Sequence, residues 1–240
     1  MLPEEFLEQT RREKKSALII VACSGSKRSD DECAKLADPL GSIQEKTMQD
    51  LSPSVSSALK DFRACTSTYH TSAVRKTSKS YPAFLRYSGY FYKSVPIKAD
   101  NNIWYEIEKQ NWNVLILSAY YGFLFVNESI QYYNLRISEL KPDCKRKLFE
   151  TLRSYLETNP DIAKVIFFAS RQYTKPFVNR LDLDVCRLSL LGDDGNEVIG
   201  PYGKDFYLSA GKLFCSLISD EFVSKMENVK QVILLKLKGY

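Results

Sequence analysis

Cys23-Ser24-Gly25-Ser26-Lys27 puts a thiol, two hydroxyls, a glycine and an ammonium into one short run. Two kinds of chemistry suit it. A thiolate is a nucleophile, and a nearby cation favours the thiolate form. The hydroxyls and the backbone N–H groups of small residues can hold a polar ligand. Parts of the pattern recur at Ser118-Ala119-Tyr120-Tyr121-Gly122 and at Ala169-Ser170-Arg171. Ser24, Ser118 and Ser170 are therefore candidate ligand contacts, together with Tyr121, Tyr133 and Tyr87. Glu128 is a candidate general base, Cys23 a candidate nucleophile and Lys27 its candidate cation. The plainer alternatives are a buried inert thiol at Cys23, a solvated loop cation at Lys27 and a surface pair or helix cap at Glu128.

A second feature is the interleaving of rings and cations over residues 66–93. Tyr81, Phe84, Tyr87, Tyr90, Phe91 and Tyr92 alternate with Arg75, Lys76, Lys79, Arg86 and Lys93. Aromatic faces stack on bases and cations neutralise phosphates, so the five cations form a candidate DNA track. The alternative is a helix whose rings, Phe84 and Phe91 among them, pack into the core. His70 reads as a surface or nucleic-acid contact.

The elements that must position these groups come from the apolar pattern. Leu18–Ala22, Val114–Leu117 and Val165–Phe168 are short apolar runs that read as buried strands, each ending in one of the small polar loops. Val185–Leu190 reads as a further strand and Val232–Leu237 as an edge strand. Helices are expected at 3–15, near Val55–Phe62, at Trp104–Gln110, at 143–158 and from Tyr202 to Ile218, with a Gly-Asp-Asp-Gly turn at 192–195. Strands alternating with helices imply an α/β domain with a mostly parallel central sheet flanked by helices. Ligands in such sheets sit at the carboxyl ends of the strands. The whole chain, 1–240, is expected to form one domain. Residues 28–80, long and polar, read as an insertion or mobile loop within it.

Bulk composition narrows the function. The chain has 240 residues and a formal net charge of +5, which permits a polyanionic partner without requiring one. Six scattered cysteines without a C-x-x-C pair, and one histidine, do not read as a metal site. No dinucleotide fingerprint or phosphate-loop motif is present, so no cofactor is expected. The charged, amphipathic opening does not read as a signal peptide and no run is long enough to span a membrane. The expected setting is a reducing cytoplasm in which the thiols stay unpaired.

Leu117-Ser118-Ala119-x-Tyr121-Gly122-x-Leu124, followed by Glu128-x-Ile130-x-x-Tyr133-x-Leu135, resembles the YaaA-like superfamily. Phe168-Ala169-Ser170-x-x-Tyr173-x-Lys175 is similar to a second block of that superfamily, with Gln172 where relatives carry glutamate. Tyr87-Ser88-Gly89-x-Phe91 is similar to a third, found in shorter relatives. Tyr132 stands where many members have proline, and 28–80 has no counterpart in the pattern. Cys23-Ser24-x-x-Lys27 resembles a motif in the core domain of archaeosine synthase, with Ala22 in place of its proline and Arg28-Ser29 in place of its Pro-Tyr pair.

Together these resemblances match the DpdC-like proteins of DNA 7-deazaguanine modification systems. The resemblance implies a hydrolase that hydrates the nitrile of 7-cyano-7-deazaguanine in DNA to the 7-amido form. Its partners would be DNA carrying the modified guanine and other proteins of the modification cluster, with no membrane. Two mechanisms follow. Either Cys23 adds to the nitrile as a thiolate and water opens the thioimidate, or Glu128 activates water directly while Tyr121 or Lys27 donates to the developing imidate nitrogen. Tyr87 or Tyr133 would stack on the base, worth about 1–3 kcal/mol. The competing readings are a non-catalytic YaaA-like DNA-binding protein of the oxidative-stress response and an enzyme of a free nucleoside.

Overall fold

The computed structural model describes residues 3–69, 74–75, 77–99, 101–178, 180–190, 197, 203–219 and 232–237. His70, Lys76 and the 192–195 turn lie outside them. The elements follow the apolar pattern closely. α1 (Pro3–Arg12) precedes β1 (Ala17–Ala22), whose six residues are all buried, as a strand covered on both faces requires. α2 (Asp30–Ala37) starts on a capping box in which Ser29 and Glu32 satisfy each other's backbone N–H groups. α3 (Pro53–Ser67) starts on Ser52, with proline in its first turn.

The aromatic run divides into β2 (Tyr81–Pro82), α4 (Ala83–Arg86) and α5 (Tyr90–Ser94). β3 (Ile97–Lys98), β4 (Asn101–Asn102) and α6 (Ile103–Lys109) lead to β5 (Asn113–Ser118). Next come β6 (Gly122–Leu124), β7 (Ser129–Ile130) and α7 (Pro142–Thr158). β8 (Lys164–Phe168), α8 (Arg171–Thr174), β9 (Asp184–Leu190), α9 (Lys204–Ile218) and β10 (Val232–Leu237) complete the order.

The chain is α/β, with a mostly parallel central sheet in the order β10-β9-β8-β1-β5-β6, flanked by helices. β8 and β9 run parallel, with Val165 opposite Val185. β10 and β6 are the antiparallel edges. The described residues form two compact units, and the division falls within β1 and β5.

The first unit holds residues 1–20, 89–114 and 161–240. Its core includes stacked Tyr92 and Trp104, with Phe91 and Phe168 meeting Phe214 at 5.5 and 5.6 Å. Gly211 of α9 lies so close to α5 that a Cβ there would fall 2.7 Å from the carbonyl oxygen of Phe91, so only glycine fits. Phe91 and Tyr92 are buried, and the third ring of that turn, Tyr90, is exposed.

The second unit holds residues 21–88 and 115–160. The described residues of 28–80 include helices and buried apolar side chains that the polar composition does not suggest. Cys33, Met48, Val55, Leu59 and Phe62 are fully buried, because short helices with one apolar face contribute to the core even when most of their residues are polar. β5 and β6 form a hairpin in which Ser118 faces Gly122. Gly122 has φ +77° and a Cβ there would meet Leu59 and Phe62 at 2.9 Å, so both its backbone and its packing call for glycine.

The expectation that every thiol stays unpaired is overturned for two of them. Cys65 of α3 and Cys144 of α7 form a disulfide with a Cα–Cα distance of 5.7 Å. They are 79 residues apart in the chain, and only the packing of α3 beside α7 brings them together.

Candidate active site

The loop after β1 is held in place by its own backbone. The Cys23 N–H donates to the Leu117 carbonyl at 2.9 Å, which sets the thiol-bearing residue beside the end of β5. The Ser24 hydroxyl accepts the Ser26 N–H at 3.1 Å, closing a small turn. The Ser26 carbonyl accepts the Ser88 N–H at 3.1 Å, and Lys27 pairs with Tyr87 as an antiparallel bridge. Gly25 is exposed and a Cβ there would meet nothing, so the tip of the loop faces open space.

Lys27 is turned inward. Its Nζ donates to the Ser24 carbonyl at 3.0 Å and sits 3.9 Å from the centroid of the Tyr133 ring and 5.8 Å from that of Tyr87. Burial lowers its pKa from 10.5 to about 8, against the opposing pull of Cys23. An ammonium over an aromatic face keeps part of its charge stabilisation without being saturated by hydrogen bonds.

Beneath it lies a chain of hydroxyls. The Ser118 Oγ accepts the N–H groups of Tyr120 at 3.3 Å and Tyr121 at 3.0 Å, so both of its lone pairs are used and its proton goes to Tyr133 Oη at 3.0 Å. The Tyr133 and Tyr87 hydroxyls lie 2.9 Å apart, and either can donate to the other. The three hydroxyls form a buried chain in the order Ser118, Tyr133, Tyr87. Burial, then the negative charge of Cys23, pushes both phenols well above their ordinary range, so they stay protonated and act as donors.

Tyr87 and Tyr133 are fully buried and meet edge to face. Their hydroxyls, rather than open ring faces for stacking, are what they contribute here. The Tyr120 ring stacks on Tyr133 at 5.6 Å, and the Tyr121 hydroxyl accepts the Gln131 N–H at 3.2 Å.

Glu128 has different neighbours. Its carboxylate accepts from Arg63 at 2.7 Å, the Met48 N–H at 3.1 Å and the Thr47 hydroxyl at 3.4 Å. Burial raises its pKa, while Arg63 opposes that rise. Arg63 also donates to the Tyr121 carbonyl at 3.0 Å, which ties Glu128 to the Ser118–Gly122 loop from behind. Arg63 was not among the residues the sequence singled out. The available signal is its place on α3 among the buried Leu59, Phe62 and Thr66.

Ser170 belongs to the first unit, where its buried hydroxyl has no hydrogen-bond partner among the described residues. Among the proposed DNA contacts, Arg75 and Lys79 are exposed, with the Arg75 guanidinium 4.2 Å from the Tyr132 ring centroid. Lys93 is exposed in the first unit beside Tyr90. Arg86 differs. It is fully buried and donates to Asp30 at 2.7 Å and to the carbonyls of Arg28 and Lys79 at 2.7 and 2.6 Å. A phosphate has no access to a guanidinium so enclosed, so Arg86 braces the loop.

A family model described as peroxide stress protein YaaA matches residues 13–206. The chain belongs to that family. The match includes every residue of the Cys23–Lys27–Tyr87–Ser118–Tyr133 cluster. A search of curated proteins finds no match. Among the described residues, no cluster of His, Cys, Asp and Glu is placed to hold a metal ion, and no helix is long and apolar enough to cross a membrane.

Proposed function

We propose that this member of the family hydrates the nitrile of 7-cyano-7-deazaguanine in DNA, giving the 7-amido base. One observation carries the reading: the Lys27 ammonium lies over Tyr133, beside the Cys23 loop, with a pKa lowered to about 8. A nitrile carbon is an electrophile that needs a nucleophile on carbon and a proton for the nitrogen. In this reading the Cys23 thiolate forms a C–S bond as the electron pair of the C≡N π bond moves to nitrogen, which takes a proton from Lys27. Water then adds to the thioimidate carbon and gives its proton to the now neutral lysine. The C–S bond breaks, the thiolate returns, and the imidic acid tautomerises to the amide with a net gain of one water. Tyr87, fully buried and kept protonated, lies under the Lys27 ammonium at 5.8 Å and helps fix where that proton donor sits.

Both Glu128 oxygens already accept bonds from Arg63, Met48 and Thr47, which favours the thiol route over water activated by Glu128. In duplex DNA the base must leave the stack, and the exposed Arg75 and Lys79 are candidate phosphate contacts. Tyr121, Ser24 and Ser170 keep candidate binding roles, and other proteins of the modification cluster are candidate companions.

The deciding experiment incubates the protein with DNA containing the cyano base and measures nucleoside masses. Gain of one water supports the reading, and unchanged nucleosides overturn it. A second reading is a non-catalytic DNA-binding protein of the oxidative-stress response, for which the family description supplies the peroxide-stress part alone. Salt-dependent DNA binding without conversion supports that one.

A further inference from the structure

The Cys65–Cys144 bridge fastens the helix that holds the loop of the Ser118–Tyr133–Tyr87 chain. Arg63 and Thr66 lie on either side of Cys65 on α3. Arg63 donates to the Tyr121 carbonyl and the Thr66 hydroxyl to the Tyr120 carbonyl, at 3.0 and 2.8 Å. The N–H groups of those same two tyrosines fix the Ser118 hydroxyl, whose proton goes to Tyr133, and the Tyr133 hydroxyl meets that of Tyr87. Contacts therefore run unbroken from the disulfide helix to Tyr87.

The two sulfurs are not equivalent. Cys65 is partly exposed, whereas Cys144 is fully buried in the first turn of the 17-residue α7. Lys141, at the N-cap of α7, makes no side-chain capping bond. An incoming thiolate reaches Cys65, and Cys144 departs as a thiolate where the helix N-terminus favours negative charge. Asp143, next to it in the chain, is paired with Arg146 and Lys147, and its Oδ2 lies 3.9 Å from the Cys65 sulfur. An accessible sulfur joined to a stabilised leaving thiolate makes a disulfide that opens and closes readily.

We infer that Cys65 and Cys144 are a reversible dithiol–disulfide pair, oxidised by a hydroperoxide, whose closed form tightens the hold of α3 on the 118–122 loop. In oxidation, the Cys65 thiolate attacks a peroxide oxygen. The O–O bond breaks, the alcohol or water leaves with a proton, and Cys65 becomes a sulfenic acid. The Cys144 thiolate then forms the S–S bond and displaces hydroxide, which leaves as water. Two thiols are oxidised by two electrons and one hydroperoxide is reduced. Two small thiols reopen the bridge: the first exchanges at Cys65 and frees the Cys144 thiolate, and the second releases Cys65 from that mixed disulfide as the small disulfide forms. None of this depends on nitrile hydration.

The test equilibrates the whole protein in glutathione buffers of graded ratio, then maps thiols by differential alkylation and mass spectrometry. Cys65 and Cys144 are expected to open together in reducing buffer and to close again with hydrogen peroxide. Iodoacetamide is expected to modify Cys23 about fivefold faster in the open form, the size of coupling that packed networks carry. Cys65→Ser, at the partly exposed partner, is expected to hold Cys23 at the faster rate in every buffer. Because Cys144 is buried and its replacement risks the fold, Cys65→Ser and the unmodified protein carry the test. A bridge that glutathione does not open, or that peroxide does not re-form, overturns the inference. So do equal Cys23 rates in the two states, or a Cys23 rate that still follows the buffer in Cys65→Ser.

Discussion

Lys27 and Arg86 are both drawn inward from polar stretches of the second unit, yet the fold treats them in opposite ways. Arg86 is fully buried, and its guanidinium is bonded to a carboxylate and two carbonyls. Lys27 has one carbonyl and two ring faces, and burial lowers its pKa to about 8. A guanidinium stays charged at any working pH, so burying it requires acceptors, and acceptors make it a brace. An ammonium can give up its proton, so a poorly satisfied site makes it a proton donor near neutrality. A buried cation is read from its partners more surely than from its charge.

Substitutions can break this comparison, and the largest effect is expected at the brace. Arg86→Met leaves the carbonyls of Arg28 and Lys79 and the Asp30 carboxylate without their donor, and should lower unfolding free energy by about 3 kcal/mol. Urea titration measures it, and an unchanged midpoint would remove Arg86 as a brace. Lys27→Met should do the reverse, leaving the urea midpoint at pH 7 unchanged or higher while reducing nitrile hydration by roughly 10²–10⁴-fold. A carbon-13 titration of the lysine side chains should find one midpoint near 8 that is missing in this variant.

Tyr87→Phe removes the last hydroxyl of the chain beneath Lys27 and should slow hydration by about 10²-fold, through misplacement of that lysine, while retaining the fold. A loss confined to KM would instead assign the hydroxyl to ground-state binding.

Glu128 supplies a pH test of the bracing region. With its pKa raised in the folded state, its contribution to stability is full below the unfolded value and is lost as pH rises through the folded one. Unfolding free energy measured from pH 4 upward should therefore fall more steeply in the native protein than in Glu128→Gln. Parallel curves would show that the carboxylate does not titrate as proposed. Arg75→Ala should have the smallest effect, lowering the salt dependence of DNA binding by about one counterion. An unchanged slope would take Arg75 off the DNA track.

Much of the fold was legible in the sequence. The three buried runs at β1, β5 and β8 are short, rich in β-branched and aromatic residues, and end in small polar loops. Helices 143–158 and 202–218 carry apolar stripes, so their boundaries were nearly right. The order within 28–80 was harder to see, because α2 and α3 bury few residues each and their polar faces outnumber them. In the aromatic run 81–92, composition alone could not separate Tyr90, which is exposed, from Phe91 and Tyr92, which are buried.

Local pattern determined which residues could do chemistry here: a thiol and an ammonium in one turn, and serines at strand ends. Only the tertiary structure decided which of them meet. The Lys27 ammonium lies over Tyr133, Ser118 donates to Tyr133, the Tyr133 and Tyr87 hydroxyls meet, Arg63 claims Glu128, and Cys65 finds Cys144. Each of these pairs except Ser118–Tyr133 joins residues more than forty positions apart. Such contacts follow from how strands and helices pack, and no periodicity within a single segment encodes them.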